Sequence, residues 1–257
     1  MLKTRALSAL VLAPPALLAA WIGGFAFAAL VAVAAALGCW EWHRMIDSGR
    51  FGLGGRIAAL GCLIAVPVAV IWPVAAVLIV MLTAVAGFFP GERSWPVAGV
   101  LYAGLPAVAL VWLRADPGDG GAVVCWLLLV VWSTDVGAYA FGRIIGGPLL
   151  LPSVSPKKTW AGLLGGMLCA ALAGGGVVWV LDRDAVVVVA LVSALTAVVA
   201  QIGDLFESWV KRRWGVKDSS NIIPGHGGVL DRIDGLLAAA AAAALLTLAR
   251  GQAVLIW

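Results

Sequence analysis

The 257-residue sequence predicts an all-α fold, a polytopic integral membrane helical bundle of about nine transmembrane helices with its N-terminus in the cytoplasm. Three observations predict it. The hydrophobic set makes up 63% of the residues and charged residues only 12%, with a mean hydropathy of +1.06; a soluble domain carries roughly a quarter charged and about half apolar residues. The charges are gathered in short clusters between uncharged runs near the length that crosses a bilayer. The basic residues also segregate to one side once the spans are placed. This composition excludes a water-soluble globule and a disordered chain. Cys39, Cys62, Cys125 and Cys169 stand far apart with no C-x-x-C, which excludes a disulfide framework and reads as small buried thiols. A net charge of +4 then reports orientation in the membrane rather than a nucleic-acid partner.

Cutting at charges, Pro and Gly gives nine apolar stretches in one domain, 1–257: 7–22, 24–40, 57–72, 74–90, 96–113, 122–141, 161–181, 185–203 and 235–250. Each is about 16 to 21 residues, enough for a helix through a core of roughly 30 Å. Pro14 and Pro15 break the first stretch, and Gly23 and Gly24 punctuate its join to the second; a single helix over 7–40 would be about twice the needed length, so the pair reads as a hairpin. Lys3 and Arg5 give the basic start of a secretory signal. Pro14-Pro15 and the lack of an A-x-A site before a polar mature sequence favour a retained span.

With the N-terminus inside, Lys3, Arg5, Arg44, Arg50, Arg56, Arg93, Arg143, Lys157, Lys158, Lys211, Arg212, Arg213, Lys217 and Arg232 are cytoplasmic, and only Arg114, Arg183 and Arg250 lie outside. Fourteen of the 17 bases on one side is a strong positive-inside asymmetry, and it supports an odd number of spans. The outer loops are very short. Both long polar segments, 142–160 and 204–234, are cytoplasmic, and function is expected there.

Segment 204–234 holds five of the 13 acids and five of the 17 bases. Substrates that carry phosphate with a divalent metal need cationic donors and anionic oxygen ligands in one place. Asp204 ends the eighth span, and Asp231 and Asp234 open the ninth, so two helix ends can offer hard oxygen ligands suited to Mg²⁺ rather than zinc. The plainer alternative is pairing with Arg212 or Arg232 and helix capping by Asp234. Gly225, Gly227 and Gly228 surround His226 after Pro224; glycine lets backbone N–H groups approach a phosphate closely, with His226 as a further donor, although a Gly-rich turn explains the pattern as simply.

Ser155, Lys157, Lys158 and Thr159 immediately precede the seventh span, where helix dipole, free amides and ammonium groups together favour anions. Lysines that merely hold the cytoplasmic end, with Trp160 marking the interface, are the alternative. Ser133, Asp135 and Tyr139 lie inside the sixth span. A carboxylate there costs about 2.5–3.5 kcal/mol to insert, so Asp135 is expected to face a wet cavity or a partner, on the same helix face as Tyr139. Elsewhere plain readings suffice: Glu41, His43 and Arg44 as a solvated helix end, the 13 tryptophans as interfacial belts, and Gly162 and Gly166 as a G-x-x-x-G helix contact. Helix-packing glycines permit a homodimer without choosing its interface.

The stretch Ser208-x-Val210-Lys211-Arg212, four residues, then Lys217-Asp218-x-Ser220-x-x-Ile223-Pro224-x-His226-Gly227-Gly228-Val229-x-Asp231-Arg232-Ile233-Asp234 resembles, at every specified position, the signature of the phosphatidate cytidylyltransferases, or CDP-diacylglycerol synthases. The Ser133-Thr134-Asp135 and Ser155-Pro-Lys-Lys-Thr-Trp160 segments resemble further motifs of that family in the same order. Many members have Glu where this chain has Ala161, so no role for that carboxylate carries over.

The resemblance implies that CTP and phosphatidate give CDP-diacylglycerol and pyrophosphate with Mg²⁺, in N-terminal helices 1–113 and catalytic helices and loops 122–257. Asp204 and Asp231 would be the metal ligands; Lys157, Lys158, Lys211, Arg212, Lys217 and Arg232 would bind phosphates; Asp135, Asp218, Asp234 and His226 would give metal support, hydrogen bonds or nucleotide recognition. It also implies a bacterial inner membrane, no nucleic acid, and an active site on the cytoplasmic face open to both water and lipid. An ion-coupled transporter using Asp135 and Asp204 is a weaker alternative, because the polar residues crowd into one half with no internal repeat. A CTP-dependent lipid or polyprenol kinase fits the cofactor class but not the full 208–234 pattern.

Overall fold

The computed structural model describes residues 2–88 and 95–257; Arg93 and the end of the fourth apolar stretch lie outside the described residues. Among the described residues nine helices follow in order: α1 (Leu2–Ile22), α2 (Gly24–Ile46), α3 (Leu53–Val68), α4 (Pro73–Phe88), α5 (Trp95–Arg114), α6 (Gly120–Ile144), α7 (Trp160–Val180), α8 (Val186–Arg213) and α9 (Leu230–Arg250). Each falls on an expected apolar stretch. By length and composition α2 and α5 to α9 can each cross a membrane, whereas α3 and α4 have 16 residues each. The chain is an all-α integral membrane protein.

Besides shifts of a few residues at helix ends, three features differ from expectation for physical reasons. α1 runs unbroken through Pro14 and Pro15, as apolar helices tolerate proline when neighbouring groups satisfy the freed carbonyls. The turn into α2 is made, as expected, by Gly23 and Gly24, at φ 71 and 51. α8 does not stop at 203 but continues to Arg213, for 28 residues and a length of about 42 Å, longer than a hydrocarbon core of roughly 30 Å. Between α6 and α7 stands an antiparallel hairpin, β1 (Leu149–Leu151) and β2 (Ser155–Thr159), that pairs Leu149 with Thr159 and Leu151 with Ser155.

The chain forms two compact units, the first made of Met1–Pro117 with Arg213–Ile233 and the second of Gly118–Arg212 with Asp234–Trp257. In the first unit the buried stripes are small and recur at helical spacing: Ala28, Ala32, Ala35 and Cys39 on α2; Ala58, Cys62 and Ala65 on α3; Ala76, Val80 and Ala84 on α4; Val100, Ala103 and Ala107 on α5. Small residues let helix axes approach closely where lipid leaves little hydrophobic force between helices. Cys39 and Cys62 meet at 3.5 Å between sulfurs; of the other two thiols Cys125 is exposed and Cys169 half-buried, so only one pair is buried as expected. Trp42 is fully buried, donates to the Trp95 carbonyl at 2.8 Å and packs on Tyr102. Trp95 in turn meets Trp214 edge-on and the Arg213 guanidinium. Trp42 is core, not interfacial belt, while Trp95 and Trp214 are half-buried.

In the second unit α6 and α7 cross on glycines. A Cβ at Gly137, Gly162 or Gly166 would come within 2.8–2.9 Å of a backbone carbonyl on the facing helix. Trp126, also fully buried, donates to Ser193 Oγ at 2.9 Å. Asp119 and Arg183 pair between two of the short connections, and Arg183 also reaches the Leu255 carbonyl.

Candidate active site

In the first unit, the polar segment after α8 closes on itself at Ile223. Pro224 and Gly225 occupy the centre of a turn in which His226 N–H donates to the Ile223 carbonyl at 2.9 Å. Gly225 has φ 78, and Pro followed by a positive-φ Gly is the type II arrangement. Gly227, at φ 87, brings the chain back to bridge Ile223. Two of the three glycine amides expected to face phosphate are thereby used within the loop: that of Gly227 goes, like that of His226, to the Ile223 carbonyl, and that of Gly228 to Asp231 Oδ2 at 2.8 Å. With the His226, Gly227 and Gly228 amides so used, anion binding at this loop rests chiefly on side chains.

Those side chains are present. A cavity of about 630 Å³ is lined by Lys217, Asp218, Asn221, Ile223, Pro224, Gly225, His226, Gly227 and Arg232. Two cations face it, and His226 Nδ1 is buried without a hydrogen-bond partner among the described residues. A buried polar atom left unpaired is costly unless a ligand or water completes it.

Asp231 stands in the first turn of α9, where a carboxylate complements the helix dipole. Its Oδ2 accepts from the Ser219 amide at 2.9 Å, the Ser219 hydroxyl at 2.9 Å and the Gly228 amide. Glu41, expected at a solvated helix end, is instead fully buried, as is His43 apart from 5% of its surface; Arg44 alone is exposed, over the Trp40 ring. Glu41 accepts hydrogen bonds from Ser219, Ser220, Val229 and Leu230, which together replace its water.

In the second unit, β2 carries Lys158 to 2.7 Å from Asp204 Oδ2, and Ser208, one turn along α8, reaches Asp204 Oδ1 at 3.3 Å. On the same helix Lys211 is buried against Glu207 at 2.5 Å. Asp234 lies in electrostatic reach of Asp204, Lys211 and Asp135. Three carboxylates from α6, α8 and α9 therefore share one region with Lys158 and Lys211. Thr159 caps α7, its hydroxyl oxygen accepting from the Gly162 amide at 3.0 Å. Asp135 and Tyr139 occupy one exposed face of α6, where Tyr139 accepts from Arg143; Ser133 is half-buried. Lys157 and Arg212 are exposed, and Ser155 is half-buried.

The residues missed in the sequence are Glu41, Glu207, Ser219 and Asn221. Glu207 carried a usable signal, an acid four residues before Lys211 on an apolar helix. Glu41 carried only its isolation.

Residues 3–249 match the cytidylyltransferase family. The phosphatidate cytidylyltransferase of Brucella suis biovar 1 is 41% identical over 248 residues, covering 93% of this chain and 91% of that protein. That of Pseudomonas aeruginosa is 38% identical and covers 98% of each chain, and that of Haemophilus influenzae is 33% identical over 93% of this chain and 96% of its own. With the match running nearly end to end and through both clusters, this chain belongs to the cytidylyltransferase family.

Proposed function

We propose that this chain transfers the cytidylyl group of CTP to phosphatidate, giving CDP-diacylglycerol and pyrophosphate. The observation that carries the reading is the cavity lined by Lys217, His226 and Arg232 within the stretch that bears the family signature. It offers cationic and neutral donors to a phosphate chain, with Asp218 and Asn221 as polar groups toward a nucleotide. All the relatives named above are phosphatidate cytidylyltransferases, which supports neither a transporter nor a kinase.

In the reaction a non-bridging oxygen of the lipid phosphate attacks the α-phosphorus of CTP. The new P–O bond forms as the bond to the β-phosphate bridging oxygen breaks, and pyrophosphate leaves with that electron pair. Such transfers rest on positioning and charge neutralisation more than on a protein nucleophile. Lys217 and Arg232 neutralise phosphate oxygens, and Arg232, with a planar fork of donors, orients them. His226 lines the same cavity and supplies a further donor. Lys157, Lys158, Lys211 and Arg212 are the further phosphate-binding cations, with Lys158 held in place by Asp204.

Mg²⁺ is the proposed cofactor, with Asp204 and Asp231 as its protein ligands. Among the described residues no three His, Cys, Asp or Glu gather into a cage. Mg²⁺ does not ask for one, since it is commonly held by one or two carboxylates together with substrate phosphates, and carboxylate donors match its hardness. When bound it would neutralise charge developing on the leaving pyrophosphate. The expected setting is the bacterial inner membrane with the active side cytoplasmic, and a homodimer is compatible with the helix-packing glycines.

The test is incubation of the purified protein, folded in detergent or lipid, with CTP, phosphatidate and Mg²⁺. CDP-diacylglycerol and pyrophosphate in equal amounts are expected. Neither product from well-folded protein overturns the reading.

A further inference from the structure

Among the described residues Glu41 is the most tightly enclosed acid of the first unit, with none of its surface exposed, and it lies far along the chain from the signature residues. Four donors converge on it. Oε1 accepts from the Ser220 hydroxyl at 2.6 Å and the Val229 amide at 2.8 Å; Oε2 accepts from the Leu230 amide at 2.7 Å and the Ser219 hydroxyl at 3.2 Å. One turn before it, Gly38 leaves a notch in α2 where the Leu230 side chain packs, 3.0 Å from where a Cβ would stand. Helix α2 thus grips Leu230 by both its side chain and its amide.

The order of these donors along the chain gives the grip a purpose. Ser219 and Ser220 come just before the cavity loop, Val229 and Leu230 just after it, and the lining residues Asn221, Ile223, Pro224, Gly225, His226 and Gly227 fall between. One carboxylate therefore ties both stems of the loop. It also supplies the acceptor for first-turn amides of α9, which otherwise lack partners, and complements that helix's positive end. Ser219 adds a link to Asp231: its single hydroxyl proton lies between Asp231 Oδ2 at 2.9 Å and Glu41 Oε2 at 3.2 Å, so the two carboxylates hold it from either side.

We propose that Glu41 is a positioning residue, a clamp on α2 that fixes the mouth of the 217–232 cavity and through it the binding of CTP. The assignment of CTP to the cavity rests on the proposed function; the clamp itself rests on the hydrogen bonds. A glutamine at this position is nearly isosteric but cannot serve. Each carboxylate oxygen faces a backbone N–H, so either orientation of the amide points its NH₂ at one of them, and at least one bond is replaced by a clash of donors. A merely space-filling role would tolerate that exchange.

The test compares wild type, Glu41→Gln and Ser220→Ala in the full chain, by steady-state kinetics with each substrate varied in turn and by hydrogen exchange. For Glu41→Gln a rise in the KM for CTP of at least tenfold is expected, with the KM for phosphatidate unchanged and kcat within about threefold. Ser220→Ala, lacking one donor, should raise the KM for CTP by a smaller factor. Unchanged CTP kinetics in Glu41→Gln, or an equal fall in kcat for both substrates with no change in either KM, overturns the clamp. If Glu41→Gln does not fold, Ser220→Ala decides on the same criterion. Exchange gives a readout independent of catalysis: faster exchange at Val229 and Leu230 in Glu41→Gln supports the clamp, and wild-type rates overturn it. If the wild type makes no CDP-diacylglycerol, the assigned reaction falls, and the exchange rates still settle the clamp.

Discussion

Lys158 Nζ lies 2.7 Å from Asp204 Oδ2, which ties the strand before α7 to a carboxylate inside α8. Both groups keep part of their surface, 21% and 35%, so the pair adds little to stability, about 1 kcal/mol at most. Its value is positional: each partner holds the other where phosphate chemistry needs both signs. Lys158→Ala should lower kcat/KM for CTP by about a hundredfold while the melting temperature moves by only a few degrees. Asp204→Asn should remove turnover, by about a thousandfold or more, without loss of membrane insertion. Near-normal turnover in Asp204→Asn takes this residue out of the site.

Glu207 and Lys211 make the opposite case, since both are buried on α8. Removal of one partner strands a buried charge, so Glu207→Ala should destabilise the protein by about 3–5 kcal/mol. The double change Glu207→Leu with Lys211→Met should recover much of that stability and none of the activity assigned to Lys211. Thermal melts of Glu207→Leu, Lys211→Met and the double variant measure the coupling, and additive losses would show that the pair is not one unit.

Gly227 combines φ 87 with a site where a Cβ would stand 2.7 Å from Asp231 Oδ2. Gly227→Ala should therefore cost about 1–3 kcal/mol from backbone strain alone and push the Asp231 carboxylate off its three donors. Activity should fall more than stability. A melting temperature and a turnover both at wild-type level would mean that the loop reshapes freely.

Gly166 leaves no room for a side chain against the Thr134 carbonyl. Gly166→Val should part α6 from α7 and cost about 1–3 kcal/mol or more by overpacking. Yield of folded protein in detergent checks this. The same change at Gly176, where no atom lies within 4 Å of an added Cβ, should be tolerated.

Treatment with EDTA should abolish turnover, and added Mg²⁺ should restore it. Undiminished product in EDTA removes the metal from the mechanism.

The helices were legible because membrane insertion writes them in plain composition: each of the nine apolar stretches corresponds to a helix, and apart from the expected break at Pro14-Pro15 the errors fell at ends. The unforeseen extension of α8 past 203 follows from its amphipathic last turns, where Glu207 and Lys211 look like loop charges in sequence but pair at i,i+4 spacing. The hairpin at 149–159 was hidden because its strands are three and five residues long. Signature residues such as Lys217, His226 and Arg232 were legible together and do line one cavity. Glu41 was not, because a boundary acid and a buried one look alike until its four donors, all contributed from beyond residue 218, are in place.

That last contact joins positions 189 residues apart. At a synthesis rate of about 5–20 residues per second, Glu41 is added to the chain roughly 10 to 40 s before Leu230. Over that interval the carboxylate of Glu41 must wait in a newly inserted hairpin without the donors that finally enclose it. Closure of Val229 and Leu230 on Glu41 is therefore among the last contacts the chain is long enough to make, and a chain released early would leave that acid without the amides that enclose it.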